Sequence, residues 1–425
     1  MAVRRLSIRV GYLALCLTCL LAAQSRAQES ADAVPADQTF VNRFWQADSE
    51  ASRLALSEEL LLSQPDPAAL FELLKAGPVY SDEVPLGEHV LARTNNAGTE
   101  FPYMINIPQD YDPQRQWPVE FVLHGGVGRP KPAAGENFWQ RSYDRIGQQG
   151  RITVVPLAWS GVVWWQDEQA DSLVAILNSL KSTYNIDENQ VSLTGISDGG
   201  TGAYFFAFKQ PTQWASFLPY IGHPGVLRNP QSGGGYRLYF ENLMNKPLYI
   251  VNGENDRLYP AASLSSFMDI LKDVGVPHTW TVIAEGGHNT EWLPDYQDEV
   301  EQFKSSNPRD PFPSVIQWVA DRTDRYNRNH WIQIDRINGD DRPALLQVDR
   351  SNNLISVEAR GIEQFRLLLS PDFIDFARPV QVVVNGESQF YDTVEQSAES
   401  LLRLASRDLD RSMLITAELS ISLTD

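Results

Sequence analysis

A serine flanked by glycines stands between two segments of different periodicity. VSLTG is typical of a buried strand, TGAYFFAFKQ of a helix, and Gly195, Ser197 and Gly199 lie at their junction. A serine hydroxyl becomes a nucleophile when it is exposed, lies beside a base and has donors nearby that stabilise an oxyanion. Glycines two residues before and after it permit the tight turn that exposes the hydroxyl. This G-x-S-x-G pattern predicts that Ser197 is a nucleophile; a helix-capping serine in a turn is the alternative.

A second glycine-rich turn could supply the oxyanion donors. Gly125 and Gly126 follow His124 at the end of the predicted strand VEFVL. Glycines there leave backbone N–H groups free to point at a developing negative charge, and the N–H of Asp198, next to the serine, would be the other donor. An ordinary glycine-rich turn is the competing interpretation.

The base and the acid are expected after later strands, because this elbow is followed along the chain by an acid and then a histidine. Of the six histidines, this order leaves His278, His288 and His330 as candidates for the base. We favour His288, because it follows two glycines in a loop, AEGGHNTEW, after a strand. For the acid, NGENDRLYP offers Glu254 and Asp256, and we favour Asp256, which lies one turn beyond the strand end. A buried carboxylate there would hold the imidazole tautomer.

Aromatic residues cluster near the predicted site. Trp159, Trp164 and Trp165 follow a strand end, Trp292 follows the candidate base, and His223 lies just past another strand. We expect these five side chains to line a substrate pocket, since aromatic walls suit a ring, sugar or phenolic group. Packing of the loops against helices is an equally good explanation for each tryptophan alone.

The pattern of elements predicts an α/β fold with additions at both ends. Between residues 84 and 329 short apolar strands alternate with helices, which builds a mostly parallel sheet flanked by helices. PSVIQWVADRTDRYNR is interpreted as the last of these helices. The period then changes to two, and Asn385-Gly386 is a hairpin signal, which predicts an antiparallel β-sandwich. The expected divisions are a signal peptide (1–27), a helical segment (28–80), a catalytic domain (81–328) and a β-sandwich domain (329–425).

The N-terminus has the pattern of a secretory signal peptide. Arg4, Arg5 and Arg9 precede an apolar run from about Val10 to Ala23, and small residues follow. No stretch reaches the roughly 20 apolar residues that a membrane span needs. We therefore expect an exported periplasmic or extracellular protein without a membrane span. Both cysteines lie in this leader, so the mature chain would have no disulfide and no thiolate nucleophile or metal ligand.

Charge excludes some classes of partner. The formal net charge is −19, and the leader carries four arginines and no acidic residue, so the mature chain is more negative still. Nucleic acid and anionic membrane surfaces are therefore poor partners. Acidic charge that simply keeps an exported protein in solution explains the balance.

With these residues in place, the chain resembles the α/β-hydrolase superfamily, and within it secreted esterases similar to feruloyl esterases and polyhydroxybutyrate depolymerases. The resemblance covers roughly residues 85 to 325 and rests on HGGVG, GISDGG, GENDRLYP and GGH in that order. It implies hydrolysis of a small-molecule or polymer-derived ester through an acyl-serine, with no metal or organic cofactor. Asp198 departs from the small residue usual at its position, and the disulfides common in secreted relatives are absent.

Two other functions stay open at this point. A serine peptidase of the same fold is the nearest alternative, since Asp198 could favour a cationic amine. A non-catalytic binding protein is the other, although such a protein would not need the serine, acid, histidine and glycines together.

Overall fold

An eight-stranded mixed sheet forms the centre of the chain, of which the computed structural model describes residues 36–133, 135–145, 150–339 and 342–423. The predicted signal peptide lies outside these ranges. The strands are, in chain order, β1 (Gly87–Thr94), β2 (Glu100–Ile107), β3 (Trp117–Leu123), β4 (Ile152–Pro156), β5 (Ile186–Ile196), β6 (Ser216–Tyr220), β7 (Leu248–Gly253) and β8 (His278–Ile283).

The strand order is β1-β2-β4-β3-β5-β6-β7-β8. β2 runs antiparallel to β1 and β4, and the other neighbours are parallel. Parallel strands with both faces covered are apolar throughout, and every residue of β4, β6 and β7 is buried. The predicted mostly parallel sheet is confirmed. β1 and β6 are strands that the sequence patterns do not indicate; every residue of β1 is at least partly exposed at the sheet edge, and β6 is a fully buried run of five residues.

Helices cover both faces of this sheet. Successive side chains of a strand point to opposite faces, so each face has its own apolar cluster for helices to cover. Phe121 and Leu123 of β3 share a cluster with residues of three helices, α4 (Asp167–Thr183), α5 (Asp198–Lys209) and α6 (Ser265–Val274). These three helices agree with the helices predicted from the sequence. Val122 faces the cluster that includes residues of α7 (Leu293–Ser306). α7 lacks a strong apolar stripe: its buried residues are Leu293, Val300 and Lys304, the last paired with Glu120 of β3. None of the described helices is long and apolar enough to cross a bilayer.

Two further sheets face each other across a third cluster. One has the order β10-β11-β14-β17 and the other β16-β15-β13-β12-β9. The strands are β9 (Val315–Ala320), β10 (Arg328–Asn329), β11 (Ile332–Ile337), β12 (Ala344–Ser351), β13 (Leu354–Arg360), β14 (Ile362–Leu369), β15 (Val380–Val384), β16 (Glu387–Asp392) and β17 (Ala417–Ser422). A C-terminal sandwich is therefore present, but not a fully antiparallel one. β13 and β15 pair in parallel, because the intervening β14 crosses to the other sheet and the chain then returns.

The helix predicted over PSVIQWVADRTDRYNR is wrong. Residues 315–320 form β9, which pairs antiparallel with β12. Ile316, Trp318 and Ala320 are buried at every second position and point into the sandwich core, which is the period of a strand. β9 thus lies in a sandwich sheet although it precedes residue 328. The division at 328 remains a prediction.

The N-terminal segment is helical, as expected, and packs at a distance along the chain. α1 (Gln38–Trp45), α2 (Glu50–Leu61) and α3 (Pro67–Ala76) share an apolar cluster with α8 (Ala398–Asp408), a helix that precedes β17. Arg53 of α2 donates from Nε to the carbonyl oxygen of Ser406, 2.8 Å away. The first helices and the last helix therefore form one joint core.

The loop that follows α8, residues 409–412, joins the sandwich to the eight-stranded sheet through buried ion pairs. Arg411 contacts Glu188 of β5 from Nε to Oε1 at 2.6 Å and from Nη2 to Oε2 at 3.1 Å. Arg309 donates from Nη1 and Nη2 to both oxygens of Asp410, at 2.7 and 3.1 Å. These side chains are at most 9% exposed, so both pairs are shielded from water.

Candidate active site

Ser197 occupies a strained turn between β5 and α5. Its φ is 58° and its ψ −118°, a conformation that residues with side chains rarely adopt and that recurs at functional turns. The turn is closed by very short backbone contacts. A Cβ added to Gly195 would lie 1.9 Å from the carbonyl oxygen of Gly199, and one added to Gly199 would lie 1.9 Å from that of Leu123. Only glycine fits at either position, which explains the pattern around the serine.

Three polar side chains meet at this turn. The hydroxyl of Ser197 lies 2.8 Å from Nε2 of His288, and Nδ1 of His288 lies 2.7 Å from Oδ2 of Asp256. The other oxygen of Asp256 accepts the backbone N–H groups of Leu258 and Tyr259, at 2.8 and 3.0 Å. These bonds fix the buried carboxylate so that Oδ2 faces the imidazole. His288 then donates from Nδ1 and leaves Nε2 to accept the serine proton.

The structure separates the alternatives that the sequence leaves open. His278 begins β8, where its Nδ1 lies 2.7 Å from the carbonyl oxygen of Val276. His330 is buried beside the ammonium group of Lys246. Glu254 accepts the backbone N–H of Glu285. Of the candidate acids and bases, Asp256 and His288 are the ones brought to Ser197.

The order of elements decides the fold. Ser197 follows β5, Asp256 follows β7 and His288 follows β8, all at the carboxyl ends of parallel strands, with a glycine-flanked turn before α5. The chain has the α/β-hydrolase fold. In this α/β-hydrolase fold the antiparallel β2 and the adjacent β1 form one edge of the sheet, and β8 forms the other.

Comparison with known proteins gives distant similarities. No family model matches the chain. The bifunctional acetylxylan esterase/xylanase XynS20E of Neocallimastix patriciarum is 24% identical over 159 residues, 37% of this chain and 22% of that protein. The chain therefore spans about a fifth of the curated relative that it matches. Among solved structures, a thermostable esterase is 20% identical with a TM-score of 0.44, over 52% of this chain and 63% of that one. The S-formylglutathione hydrolase FrmB of Staphylococcus aureus is 18% identical with a TM-score of 0.40, over 52% and 99%.

Gly125 and Gly126, the glycines predicted to supply oxyanion donors, line the same cavity as the serine. A Cβ on Gly125 would lie 2.9 Å from that of Ser197, so the two backbones approach closely. Asp198 occupies the first position of α5, where backbone N–H groups have no acceptor within the helix. The side chain of Asp198 accepts the backbone N–H of Val127 at Oδ2, 3.0 Å away. Its carboxylate thus holds the glycine-rich turn against the helix.

His124 supports the same turn from inside the fold. Its Nε2 accepts the N–H of Ala158 at 3.1 Å, so Nδ1 carries the proton and donates to the carbonyl oxygen of Gly125 at 2.8 Å. Burial lowers the pKa of His124 to about 4, and the Arg129 guanidinium acts in the same direction, against the bond to Gly125. His124 is therefore a neutral positioning residue. Trp164 donates from its indole nitrogen to the carbonyl oxygen of His124 at 2.9 Å.

A cavity of about 500 Å³ opens above the serine and the histidine. Apolar and aromatic side chains, notably Phe138, Leu258 and Tyr259, line part of it, and Arg129 and Arg141 line another part. The Tyr259 ring lies 5.9 Å from that of His288. Burial raises the pKa of Tyr259, as do the Asp198 and Asp256 carboxylates.

The five residues predicted to line the pocket are not among the described residues that line this cavity. Trp164 and Trp165 are buried in the main core, and Trp165 donates to the carbonyl oxygen of Ser232 at 2.9 Å. Trp159 packs on Phe101, with ring centroids 5.7 Å apart.

Two of the five residues contact the loops that carry His288 and Asp256. Trp292 donates to the carbonyl oxygen of Asn289 at 3.1 Å, and therefore supports the loop that carries His288. His223 stacks near Tyr259 at 5.7 Å, outside the cavity lining.

Several residues that line the cavity are not predicted from the sequence. Leu258 and Tyr259 follow the acid within the motif GENDRLYP, so their position next to Asp256 is a usable signal. Phe138 and Arg141 belong to a short 3-10 helix, Phe138–Arg145, between β3 and β4. Nothing in the local pattern indicates that this segment returns to the serine.

Proposed function

We propose that the protein is a serine carboxylesterase that acts through an acyl-serine intermediate. The observation that carries this proposal is the continuous chain of contacts from Ser197 Oγ to His288 Nε2 and from His288 Nδ1 to Asp256 Oδ2, at 2.8 and 2.7 Å. This is the arrangement that activates a serine hydroxyl, with the acid holding the tautomer of the base.

In the acylation step, Ser197 Oγ attacks the ester carbonyl carbon while its proton passes to His288 Nε2. The carbonyl oxygen becomes an oxyanion and is stabilised by backbone N–H groups of the glycine-rich turn and of Asp198. Asp256 stabilises the imidazolium. When the tetrahedral intermediate collapses, the bond to the alcohol oxygen breaks, and the imidazolium gives its proton to the leaving alkoxide.

In the deacylation step, water attacks the acyl-serine carbonyl and gives its proton to His288 Nε2. The second tetrahedral intermediate collapses to a carboxylic acid, and the imidazolium returns the proton to Ser197 Oγ. The enzyme is restored, and the sum of the two steps is ester plus water giving acid plus alcohol.

We further propose that the protein acts after export, in the periplasm or outside the cell. The N-terminal pattern of arginines, apolar run and small residues supports this. The substrate would be a small ester or an ester released from a polymer. The cavity volume of about 500 Å³ suits a ligand of that size.

The nucleophile is tested by covalent labelling. A fluorophosphonate probe should modify the purified protein, and mass mapping should place the adduct on Ser197. Ser197→Ala should lose labelling and several orders of magnitude of p-nitrophenyl ester turnover. Ser160→Ala is the matched control, because Ser160 is exposed near the cavity and bonds Arg129 through its backbone alone. Turnover retained in a folded Ser197→Ala protein would refute the proposal.

The reaction class is tested by parallel assays of short-chain p-nitrophenyl esters and aminoacyl-naphthylamides. Ester cleavage should dominate. Amide cleavage exceeding ester cleavage would make the peptidase alternative the better description, and absence of both activities together with absence of probe labelling would favour a binding protein.

A further inference from the structure

Two arginines stand at the candidate active site of an acidic chain. Arg129 and Arg141 line the cavity above Ser197, whereas the chain as a whole carries a net charge of −19. A cationic cavity wall on an acidic protein calls for an explanation beyond ordinary solvation. That explanation lies in the class of ester that the site accepts, and it therefore rests on the proposed function.

Arg129 is fixed at the backbone, and its head group lies against an aromatic ring. Its N–H bonds the carbonyl oxygen of Gly126 at 3.3 Å, and its own carbonyl oxygen accepts the N–H of Ser160 at 2.8 Å. The guanidinium lies 5.0 Å from the centre of the Phe138 ring. Stacking on a ring orients the planar group while its N–H donors stay available.

Arg141 approaches the same cavity from a different segment. It lies in the 3-10 helix Phe138–Arg145, one turn after Phe138, and its side chain is exposed. Two guanidinium groups from separate segments therefore border one cavity, next to the nucleophile.

The described carboxylates near the cavity are engaged elsewhere. Among the described side chains, which leave out those of residues 142–149, no acidic oxygen lies within 4.0 Å of Arg129 or Arg141, in contrast to the buried pairs of Arg309 and Arg411. Asp198 also lines the cavity, and its Oδ2 accepts the backbone N–H of Val127. Asp256 has no exposed side-chain area and bonds His288.

We propose that Arg129 and Arg141 bind a carboxylate of the substrate, so that the enzyme prefers esters that carry a negative charge beside an apolar or aromatic body. Guanidinium groups suit carboxylates because their N–H donors match the two oxygens. Phe138, Leu258 and Tyr259 supply the apolar surface for the rest of the molecule.

Charge-matched ester pairs test this preference. For a carboxylate on the acyl side, p-nitrophenyl p-carboxybenzoate is compared with p-nitrophenyl p-carbamoylbenzoate. For a carboxylate on the alcohol side, p-acetoxybenzoate is compared with p-acetoxybenzamide. Each kcat/KM is divided by the rate of hydroxide hydrolysis of the same ester, which removes differences in intrinsic reactivity. We expect the anionic ester of at least one pair to be preferred roughly tenfold, as charge-assisted hydrogen bonds in a half-open site allow.

Substitutions assign the preference to the two side chains. Arg129→Gln and Arg141→Gln should each reduce the anionic-to-neutral ratio by roughly threefold, and the double variant should bring it close to one. Raising the salt from about 0.02 M to about 0.5 M should also reduce the wild-type ratio, because the Debye length shortens from roughly 20 Å to roughly 4 Å. Arg336→Gln removes the same charge from an exposed site on the sandwich and should leave the ratio unchanged.

The outcomes separate this inference from the esterase proposal. A wild-type ratio of one or less for both pairs, with ready hydrolysis of the neutral esters, would overturn the inference alone. So would a preference that persists in the double variant. Failure to hydrolyse any ester, together with no labelling by the fluorophosphonate, would instead overturn the esterase proposal.

Discussion

Replacing Arg411 by methionine should destabilise the protein far more than replacing an exposed arginine. Arg411 makes two contacts to the Glu188 carboxylate, and it also donates to Asn185 Oδ1 at 3.2 Å and to the carbonyl oxygen of Ile186 at 2.6 Å. Methionine keeps most of the apolar stem but removes the charge. The Glu188 carboxylate, whose side chain is 4% exposed, would then lie buried without its ion-pair partner.

The size of the effect follows from that burial. Removing one partner of a buried pair costs about 3–5 kcal/mol, because the other charge stays desolvated. Arg378 provides the control: its side chain is 79% exposed and pairs with Asp375 at 3.2 Å, so Arg378→Met should cost less than about 1 kcal/mol. Converting Glu188 to glutamine in the Arg411→Met background removes the orphaned charge and should recover about 2 kcal/mol.

Urea unfolding followed by tryptophan fluorescence and by far-UV circular dichroism measures these differences, and coincident transitions justify a single free energy of unfolding. Ester turnover of the folded Arg411→Met protein should be close to wild type, because Glu188 and Ser197 are about 30 Å apart along β5. Equal shifts of the urea midpoint in Arg411→Met and Arg378→Met, or further destabilisation by the glutamine substitution, would contradict this prediction.

Substitutions at and around the Ser197 turn have distinct expected outcomes. Gly199→Ala should lower the free energy of unfolding by more than about 4 kcal/mol or prevent accumulation of folded protein, since its Cβ would overlap backbone atoms. Gly128→Ala is the control, because a Cβ there meets open space, and it should leave the thermal melting temperature unchanged. His288→Gln should abolish ester turnover in a steady-state assay, while His278→Gln, whose ring bonds a carbonyl beside β8, should retain it. Because burial lowers the pKa of His124 from 6.5 to about 4, the unfolded chain binds the proton first as pH falls. The wild type should therefore lose about 3 kcal/mol of stability between pH 6.5 and 4 that His124→Gln does not lose, and equal pH slopes in urea titrations would contradict this.

The geometry around Ser197 is accessible from sequence because its determinants are local. A glycine two residues away on each side, a strand before and a helix after are all visible within a dozen residues. Asp256 and His288 are identified in the same way, since each follows the end of a parallel strand and such ends meet at one edge of a sheet.

The misassignments arise where tertiary contacts override local pattern. Residues 315–320 are assigned to a helix from the sequence because the local pattern does not show that Trp318 faces a sandwich core. α7 is not predicted because a buried lysine, Lys304, occupies part of the helix face that packs on the sheet, where it pairs with Glu120 of β3. The five proposed pocket residues include tryptophans that pack in cores instead, and aromatic composition alone does not separate these two environments.

The residues of the cavity wall are also set by tertiary contacts that the local sequence does not show. Phe138 and Arg141 reach the serine through a segment between β3 and β4 whose path depends on the whole sheet. The ion pair of Arg411 with Glu188 joins residues more than two hundred positions apart, and no sequence period connects them.

The joint core of α1, α2, α3 and α8 has a consequence for the order of events during synthesis. Phe44 and Leu70 are among the first described residues to leave the ribosome, yet Leu402 and Leu414, against which their cluster closes, come more than three hundred residues later. Until then the apolar sides of the first helices have no permanent cover, and the closure of so long a loop is entropically unfavourable. During most of its synthesis the nascent chain therefore exposes an apolar N-terminal segment that is prone to aggregation. We expect a chaperone to bind this segment from the first hundred residues onward.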